Sequence, residues 1–322
     1  MQRRVGLLSL LVPLLTAGWA TAALWFDSTY PELFAALFVI AVAASLFVFR
    51  RSWQRVGALT LLSLGVLCWW LQITPSNIRN WQEDVSRLPS VDLRGDQVTF
   101  HNVRNFEYRS DSDYTPHWES RTYNLSNLRG VDLYLSDWGS PGIVHTIASW
   151  DFGPGQHLAI SIETRKEIGE TYSAIRGFFR QYELYYVVAD ERDVVGVRAQ
   201  FRDEKLHLYR LRIPPAAAGA ILLSYVESIN QLQQEPQWYN ALTANCTTSI
   251  RLHTKSAGVA KALNWRLFVN KYIDELLYMR ESVTTAIPLE ELRERSDITA
   301  EAKAAASDSK FSEIIRQKLP ER

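Results

Sequence analysis

The sequence predicts an α+β domain carried behind a membrane anchor, and three features of the 322-residue chain predict it. Uncharged runs fill the first 74 residues, strand-type alternation prevails between residues 94 and 213, and helical patterns take over from residue 216. The expected organisation is an anchor of three transmembrane helices over 1–74, a linker with a short helix over 75–93, and one exported domain over 94–322.

The anchor rests on three runs without any charge: Val5 to Phe26, Leu33 to Phe49 and Val56 to Thr74. Each approaches the length needed to cross a hydrocarbon core of roughly 30 Å at about 1.5 Å per residue. Arg3 and Arg4 precede the first run, and Arg50, Arg51 and Arg55 sit between the second and third. The other turn holds Asp27 and Glu32 instead. Basic residues stay on the cytoplasmic side, so the amino terminus is expected inside and, after three crossings, everything beyond Pro75 outside. A cleaved secretory signal ending near Ala20-Thr-Ala22 is the competing reading of the first run, and it also exports the rest.

In the exported part, Gln97 to Tyr108 and Val131 to Ser136 alternate as strands around a polar, aromatic loop from Asp111 to Asn124. Gly142 to Asp151 and His157 to Arg165 form a hairpin around Gly153-Pro-Gly155. Arg176 to Arg180 reads as a helix end, Tyr182 to Ala189 as a strand, and Val194 to Phe201 with Glu204 to Ile213 as a strand pair. Pro214 opens a long helix over Ala216 to Gln234; Asn245 onward, Ala262 to Arg280 and much of Leu289 to Gln317 are helical. The architecture is an antiparallel sheet with helices packed around it.

Thirty-five basic and 35 acidic residues cancel, and no basic patch with interleaved aromatics suggests nucleic acid. With Cys68 in the third apolar run and Cys246 outside, an intramolecular disulfide is not expected. An unpaired thiol in an oxidising compartment is either used or buried and inert.

Cys246 has a context that favours use. Asn245 is a good N-cap, and Thr247, Thr248 and Ile250 continue into a helix, so the thiol falls in the first turn. There the unpaired amides and the helix dipole favour the thiolate and offer an oxyanion hole. Of the six histidines, His253 lies two turns on, about 10 Å along the axis. His207 reads as a strand residue, His157 as an exposed strand start, and His101 and His117 as neighbours of the polar loop. His145, at the start of the hairpin and after Ser140-Pro-Gly142, is the candidate base. If the chain turns at Gly153-Pro-Gly155, Ser161 and Glu163 return opposite it on one face. Glu163 is the preferred partner to orient the imidazole, with Ser161 the alternative. An ion pair of Glu163 with Arg165 or Arg198 is the competing structural role.

His145-Thr-Ile-Ala-Ser-Trp150, Ile160-Ser-Ile-Glu-Thr-Arg165, Gly177-Phe-Phe-Arg-Gln-Tyr-Glu-Leu184, Asp190-Glu-Arg-Asp193 and Trp238-Tyr-Asn240 with Asn245-Cys-Thr-Thr248 together resemble the Lnb N-terminal periplasmic domain family. The resemblance spans roughly residues 90 to 320 and ends in Phe311-Ser-Glu-Ile-Ile-Arg-Gln-Lys-Leu-Pro320. It implies a circularly permuted papain-like (NlpC-type) domain in which histidine precedes cysteine. It also implies lipoprotein N-acyltransferase chemistry: Cys246 and His145 moving an acyl chain from a phospholipid donor to the α-amine of a lipoprotein or another amine. No cofactor and no metal are expected. The implied location is the inner membrane of a Gram-negative bacterium, with the domain in the periplasm. In the family's acyltransferase the soluble domain precedes the membrane segments, whereas here the apolar runs come first. A membrane-tethered cysteine peptidase or amidase acting on cell-wall peptide, and a binding domain with an inert cysteine, are the alternatives.

Overall fold

The computed structural model describes residues 2–243 and 245–322, with side chains from residue 9 onward. The chain forms two compact units, one of residues 1–76, 171–183 and 238–241, the other of residues 77–170, 184–237 and 242–322.

The first unit is built on helices α1 (Gln2–Asp27), α2 (Pro31–Val48) and α3 (Ser52–Trp70). Ala17, Ala20 and Ala23, three residues apart on one face of α1, let it pack closely against Phe38, Val66 and Phe179. Leu15, Ile40 and Phe47 remain exposed, as expected of side chains meant for hydrocarbon. Three membrane-spanning helices were expected, and this is corrected. Only Ser9–Asp27 and Pro31–Val48, with mean hydropathy 1.5 and 2.2, are long and apolar enough to cross a membrane among the described residues. The third run does form α3, but Ser52, Gln54 and Arg55 in its first turn, followed by Thr60 and Ser63, dilute its apolar content. The mouth of the bundle is polar. Trp70 Nε1 donates to Asp27 at 2.7 Å, Gln181 donates to the Phe26 carbonyl at 2.7 Å, and the Arg180 guanidinium lies 4.2 Å over the Trp70 ring.

The second unit is an α+β domain. Its strands are β1 (Ser90–Arg94), β2 (Gln97–Arg104), β3 (Glu107–Tyr108), β4 (Tyr114–Thr115), β5 (Trp118–Asn124), β6 (Gly130–Asp137), β7 (His145–Asp151), β8 (His157–Arg165), β9 (Glu183–Ala189) and β10 (Lys205–Arg210). Eight of them form one sheet in the order β1-β2-β9-β8-β7-β6-β10, with β5 also on β2; β3 and β4 pair separately. The helices are α4 (Glu191–Val194), α5 (Gly196–Gln200), α6 (Pro215–Gln234), α7 (Cys246–Ser256), α8 (Ile273–Met279), α9 (Leu289–Ser296), α10 (Thr299–Ala304) and α11 (Phe311–Ile314).

Period-two alternation splits the core. Tyr134, Ile147, Ala159, Leu206 and Leu208 face α4, α5, α10 and α11, while Leu133, Leu135 and Tyr209 face α8 and α9. Trp150, fully buried, donates its indole N–H to the Ala218 carbonyl of α6 at 3.0 Å and packs edge-on against Tyr225.

Several element expectations need correction. The stretch 111–124, expected as a loop, contains β4 and β5, the latter paired with β2, and the sheet expected to be antiparallel includes a parallel pairing of β2 with β9. Val194 to Phe201 is helical, not a strand. Asp190 caps it by accepting from Arg192 N at 2.9 Å, and Val195 N and Ala199 N bond back to Glu191 O and Val195 O. The valines favour strands by propensity, but Val194, Val195, Val197, Arg198 and Ala199 are buried together without alternation, as short core helices allow. Ala262 to Arg280 is not one helix either. Two 3₁₀ turns, Trp265–Leu267 and Asn270–Tyr272, precede α8, because Asn270 is committed elsewhere.

Candidate active site

Cys246 is the first residue of α7, and the turn before it is locally specified. Asn245 Oδ1 accepts from Thr248 N at 2.9 Å, and Thr248 Oγ1 accepts from Asn245 N at 3.0 Å, a reciprocal capping box. With Ser249 N bonded to Asn245 O, the amides of Cys246 and Thr247 are the donors left without intrahelical acceptors at this end.

His145 is the first residue of β7, and the hairpin delivers its partners. Gly153 (φ +119°) and Gly155 (φ +67°) take the left-handed conformations of the turn. The register pairs Asp151 with His157 and Ile147 with Ser161, which extends to His145 opposite Glu163. His145, Ser161 and Glu163 thus share one face. Nε2 of His145 lies 2.7 Å from Ser161 Oγ and 3.0 Å from Glu163 Oε1, and Ser161 Oγ donates to Glu163 Oε1 at 2.7 Å. Arg198 of α5 donates to the same oxygen at 2.7 Å and reaches Glu204 at 3.2 Å; Glu204 in turn accepts from Ser136. Glu163 therefore contacts both of the groups expected of it, the His145 imidazole and Arg198. Arg165 points elsewhere, donating to the carbonyls of Val85 and Ser86.

Nε2 is engaged by Ser161 and Glu163, and Cys246 lies close enough to His145 for each to move the other's ionisation. Burial pulls the imidazole down, but the Glu163 carboxylate and then the thiolate outweigh it and raise His145 to about 9. Burial pushes the Cys246 thiol up, while His145 and both the hydroxyl and amide of Thr146 bring it down to about 7. Burial likewise opposes the Glu163 carboxylate, yet His145 and Arg198 hold it well below the usual range. At neutral pH the arrangement favours a thiolate beside an imidazolium.

Two residues absent from the sequence reading shape this pair. Thr146 follows His145 in β7, and among the described residues its buried hydroxyl has no partner besides the thiol. Asn270 is 4% exposed and ties the two halves together. Its Oδ1 accepts from Val144 N at 2.8 Å, and its Nδ2 donates to Val144 O and Thr247 Oγ1, both at 2.7 Å. It holds the residue before His145 against the residue after Cys246. Gly142 (φ +79°) admits this segment: a Cβ there would lie 2.9 Å from Val269 Cγ1.

The other histidines lie apart from the thiol. His253 is buried between Tyr186 Oη at 2.8 Å and Ser224 Oγ at 3.0 Å, and burial lowers it to about 4. His157 was expected to be exposed but is buried, 3.7 Å from Asp151. His207 pairs with Asp297 in an isolated bridge, and His101 and His117 remain at the surface near Asp92 and Glu119. Among the described residues no group of three or more His, Cys, Asp or Glu side chains has the geometry to hold a metal ion.

A cleft of about 420 Å³ adjoins the same helix, lined by Ser228, Gln231, Gln237, Thr243, Thr248 and Lys255 among others.

A search of curated proteins and of solved structures found no match to the chain. A family model described as the Lnb N-terminal periplasmic domain matches residues 114–271, a span that contains His145, Ser161, Glu163, Arg198, Cys246 and Asn270. With two apolar helices ahead of that span, this is a membrane-associated protein whose residues 114–271 belong to the Lnb N-terminal periplasmic domain family.

Proposed function

We propose that this protein is a thiol acyltransferase working at the membrane surface, with Cys246 as nucleophile and His145 as acid and base. The observation that supports it is the contact of Cys246 with an imidazole that Ser161 and Glu163 hold from the other side. The Cys246 thiolate attacks the carbonyl carbon of a phospholipid acyl ester, and the amides at the start of α7 receive the developing oxyanion. The C–O bond breaks, and the His145 imidazolium gives its proton to the departing lysophospholipid alkoxide. The acyl chain is now a thioester. A neutral amine, such as the terminal α-amine of a lipoprotein, then attacks it; His145 takes the amine proton and the thiolate leaves. An α-amine with a pKa of about 8 is partly neutral at this pH. The ester carries the activation, so the reaction requires no nucleotide or metal. Glu163 keeps the imidazole oriented and stabilises its charge, and Arg198 keeps Glu163 ionised.

A second reading, a thiol hydrolase acting on a peptide, draws on the cleft beside α7, where Ser228, Gln231, Gln237 and Thr248 offer hydroxyl and amide groups to a peptide backbone between the apolar Leu184, Leu232 and Leu252. The two share the acylation half-reaction and differ in whether amine or water completes it. Intact-mass spectrometry of the full chain incubated with phospholipid tests the choice. The expected result is a hydroxylamine-sensitive gain of one acyl chain, absent in Cys246→Ser. No adduct on a thiol that still alkylates rapidly favours the peptidase.

A further inference from the structure

Beside the candidate site the domain exposes an unusual surface. Ile143, Leu263, Trp265, Phe268, Val269 and Tyr272 are 37 to 68% exposed. Their backbone is well fixed. Asn264 caps the first 3₁₀ turn by accepting from Arg266 N, Lys271 N bonds to Gly142 O, and Asn270 is held by three hydrogen bonds. Trp265 and Tyr272 lie with ring centroids 5.7 Å apart. A fixed turn that presents large apolar side chains outward marks an interaction surface rather than a solvated loop.

Charge narrows the partner. Arg266 and Lys271 are neutralised by Glu275 and Asp137, both at 2.9 Å. Next to them, Arg251 donates to Lys261 O, Lys261 Nζ to Arg280 O, and Arg280 to Ala262 O, so three cations gather around residues adjoining Leu263. Among the described residues no carboxylate pairs with any of the three. Tryptophan and tyrosine favour the water–hydrocarbon boundary, and surplus lysine and arginine favour anionic headgroups. The apolar helices of the same chain keep a bilayer nearby, so even a weak interfacial contact is populated.

We propose that Ile143 and the segment 263–272, flanked by Arg251, Lys261 and Arg280, form a docking surface for an anionic phospholipid leaflet. Trp265, Phe268 and Tyr272 enter the headgroup–acyl boundary, and the three cations meet lipid phosphates. The surface is contiguous with the site through Asn270 and the Gly142–Val269 approach, so docking brings Cys246 to the depth of the ester groups.

The test uses the full chain in nanodiscs of phosphatidylethanolamine and phosphatidylglycerol, with a polarity-sensitive fluorophore on Phe268→Cys in a Cys68→Ser, Cys246→Ser background. A second probe at Leu263→Cys guards against local distortion at 268, and the thermal unfolding midpoint checks the fold. The expected result at both positions is blue-shifted emission, quenched several-fold more by lipid-borne spin label than by iodide. Lys261→Glu with Arg280→Glu at least halves the lipid quenching. Probes quenched mainly by iodide overturn the proposal. Probes shielded from both quenchers also overturn it, because a protein then covers the face. The readout is independent of the chemistry at Cys246, so failure of the acyl-transfer reading leaves it intact.

Discussion

Glu163 and Glu191 have closely similar surroundings and different consequences. Each accepts from a serine, Ser161 at 2.7 Å and Ser149 at 2.6 Å, and each meets an arginine, Arg198 at 2.7 Å and Arg316 at 2.6 Å. Burial opposes both carboxylates; His145 and then Arg198 overcome it at Glu163, and Arg316 does so first at Glu191, so both stay ionised below the usual range. The third partner separates them. Glu191 accepts from the phenol of Tyr134 at 2.7 Å, and burial together with Glu191 holds that proton far above neutrality. Glu163 faces an imidazole, which exchanges its proton near neutral pH and touches a thiol on its other side. An acid whose hydrogen-bond partners are a phenol, a serine and an arginine is a fastener; an acid bonded to an imidazole can set a reaction's proton affinity. Around Glu191 the fastening is extensive, since Arg316 also binds Asp132, and Arg322 bridges Asp132 and Asp151.

The largest expected effect belongs to the thiol side of this contrast. Cys246→Ser and His145→Ala are each expected to lower acyl-enzyme formation by about 10⁶-fold, read by intact mass over time, with unfolding unchanged. Comparable turnover in Cys246→Ser removes the thiol mechanism. On the fastener side, Arg316→Met leaves Glu191 and Asp132 buried without their cation and is expected to cost about 3–5 kcal/mol of stability. Denaturant unfolding measures it, and the folded fraction should alkylate at Cys246 at the normal rate. Glu163→Gln is expected to slow acylation by about 10²-fold, or about 2.7 kcal/mol, because orientation is partly kept by Ser161.

The sharpest discriminator is a pH profile. The thiolate forms as pH rises through about 7, and the imidazolium that protonates the leaving group is lost above about 9. Acylation should therefore rise and then fall between those limits. Glu163 is the main influence raising His145, so Glu163→Gln should move the descending limb to lower pH, whereas Glu191→Gln should leave both limbs in place. A descending limb that ignores Glu163→Gln separates that carboxylate from the site's proton chemistry. The smallest change is expected for Ser161→Ala, about threefold in rate, because the direct 3.0 Å contact between His145 and Glu163 remains.

Much of this geometry was legible because it is local. Gly153-Pro-Gly155 dictates a tight turn, the turn dictates register, and register with period two puts His145 across from Glu163. Asn245 two positions before Thr247 likewise announces a helix start at Cys246. What was hidden is tertiary. Valines at 194, 195 and 197 read as a strand because propensity ignores the core they enter as a helix, and that helix is what brings Arg198 to Glu163. Asn270 sits in a stretch of mixed polarity with no motif, and its importance comes only from the two distant segments it joins. The third apolar run differs because its helix, α3, begins at Ser52 and takes in Gln54 and Arg55 ahead of Val56, and ends at Trp70, short of the run's last residues.

Asn270 also has a meaning for how the protein comes into being. It closes a contact with Val144 across 126 positions and another with Thr247 across 23, and so ties the strand that carries His145 to the helix that carries Cys246. Long closures of this kind form late along a folding route. Before that moment Cys246 has no imidazole beside it and keeps the sluggish chemistry of an ordinary thiol. Cys246 thus stays an ordinary thiol while the chain folds, and its lowered pKa emerges only with the finished native assembly.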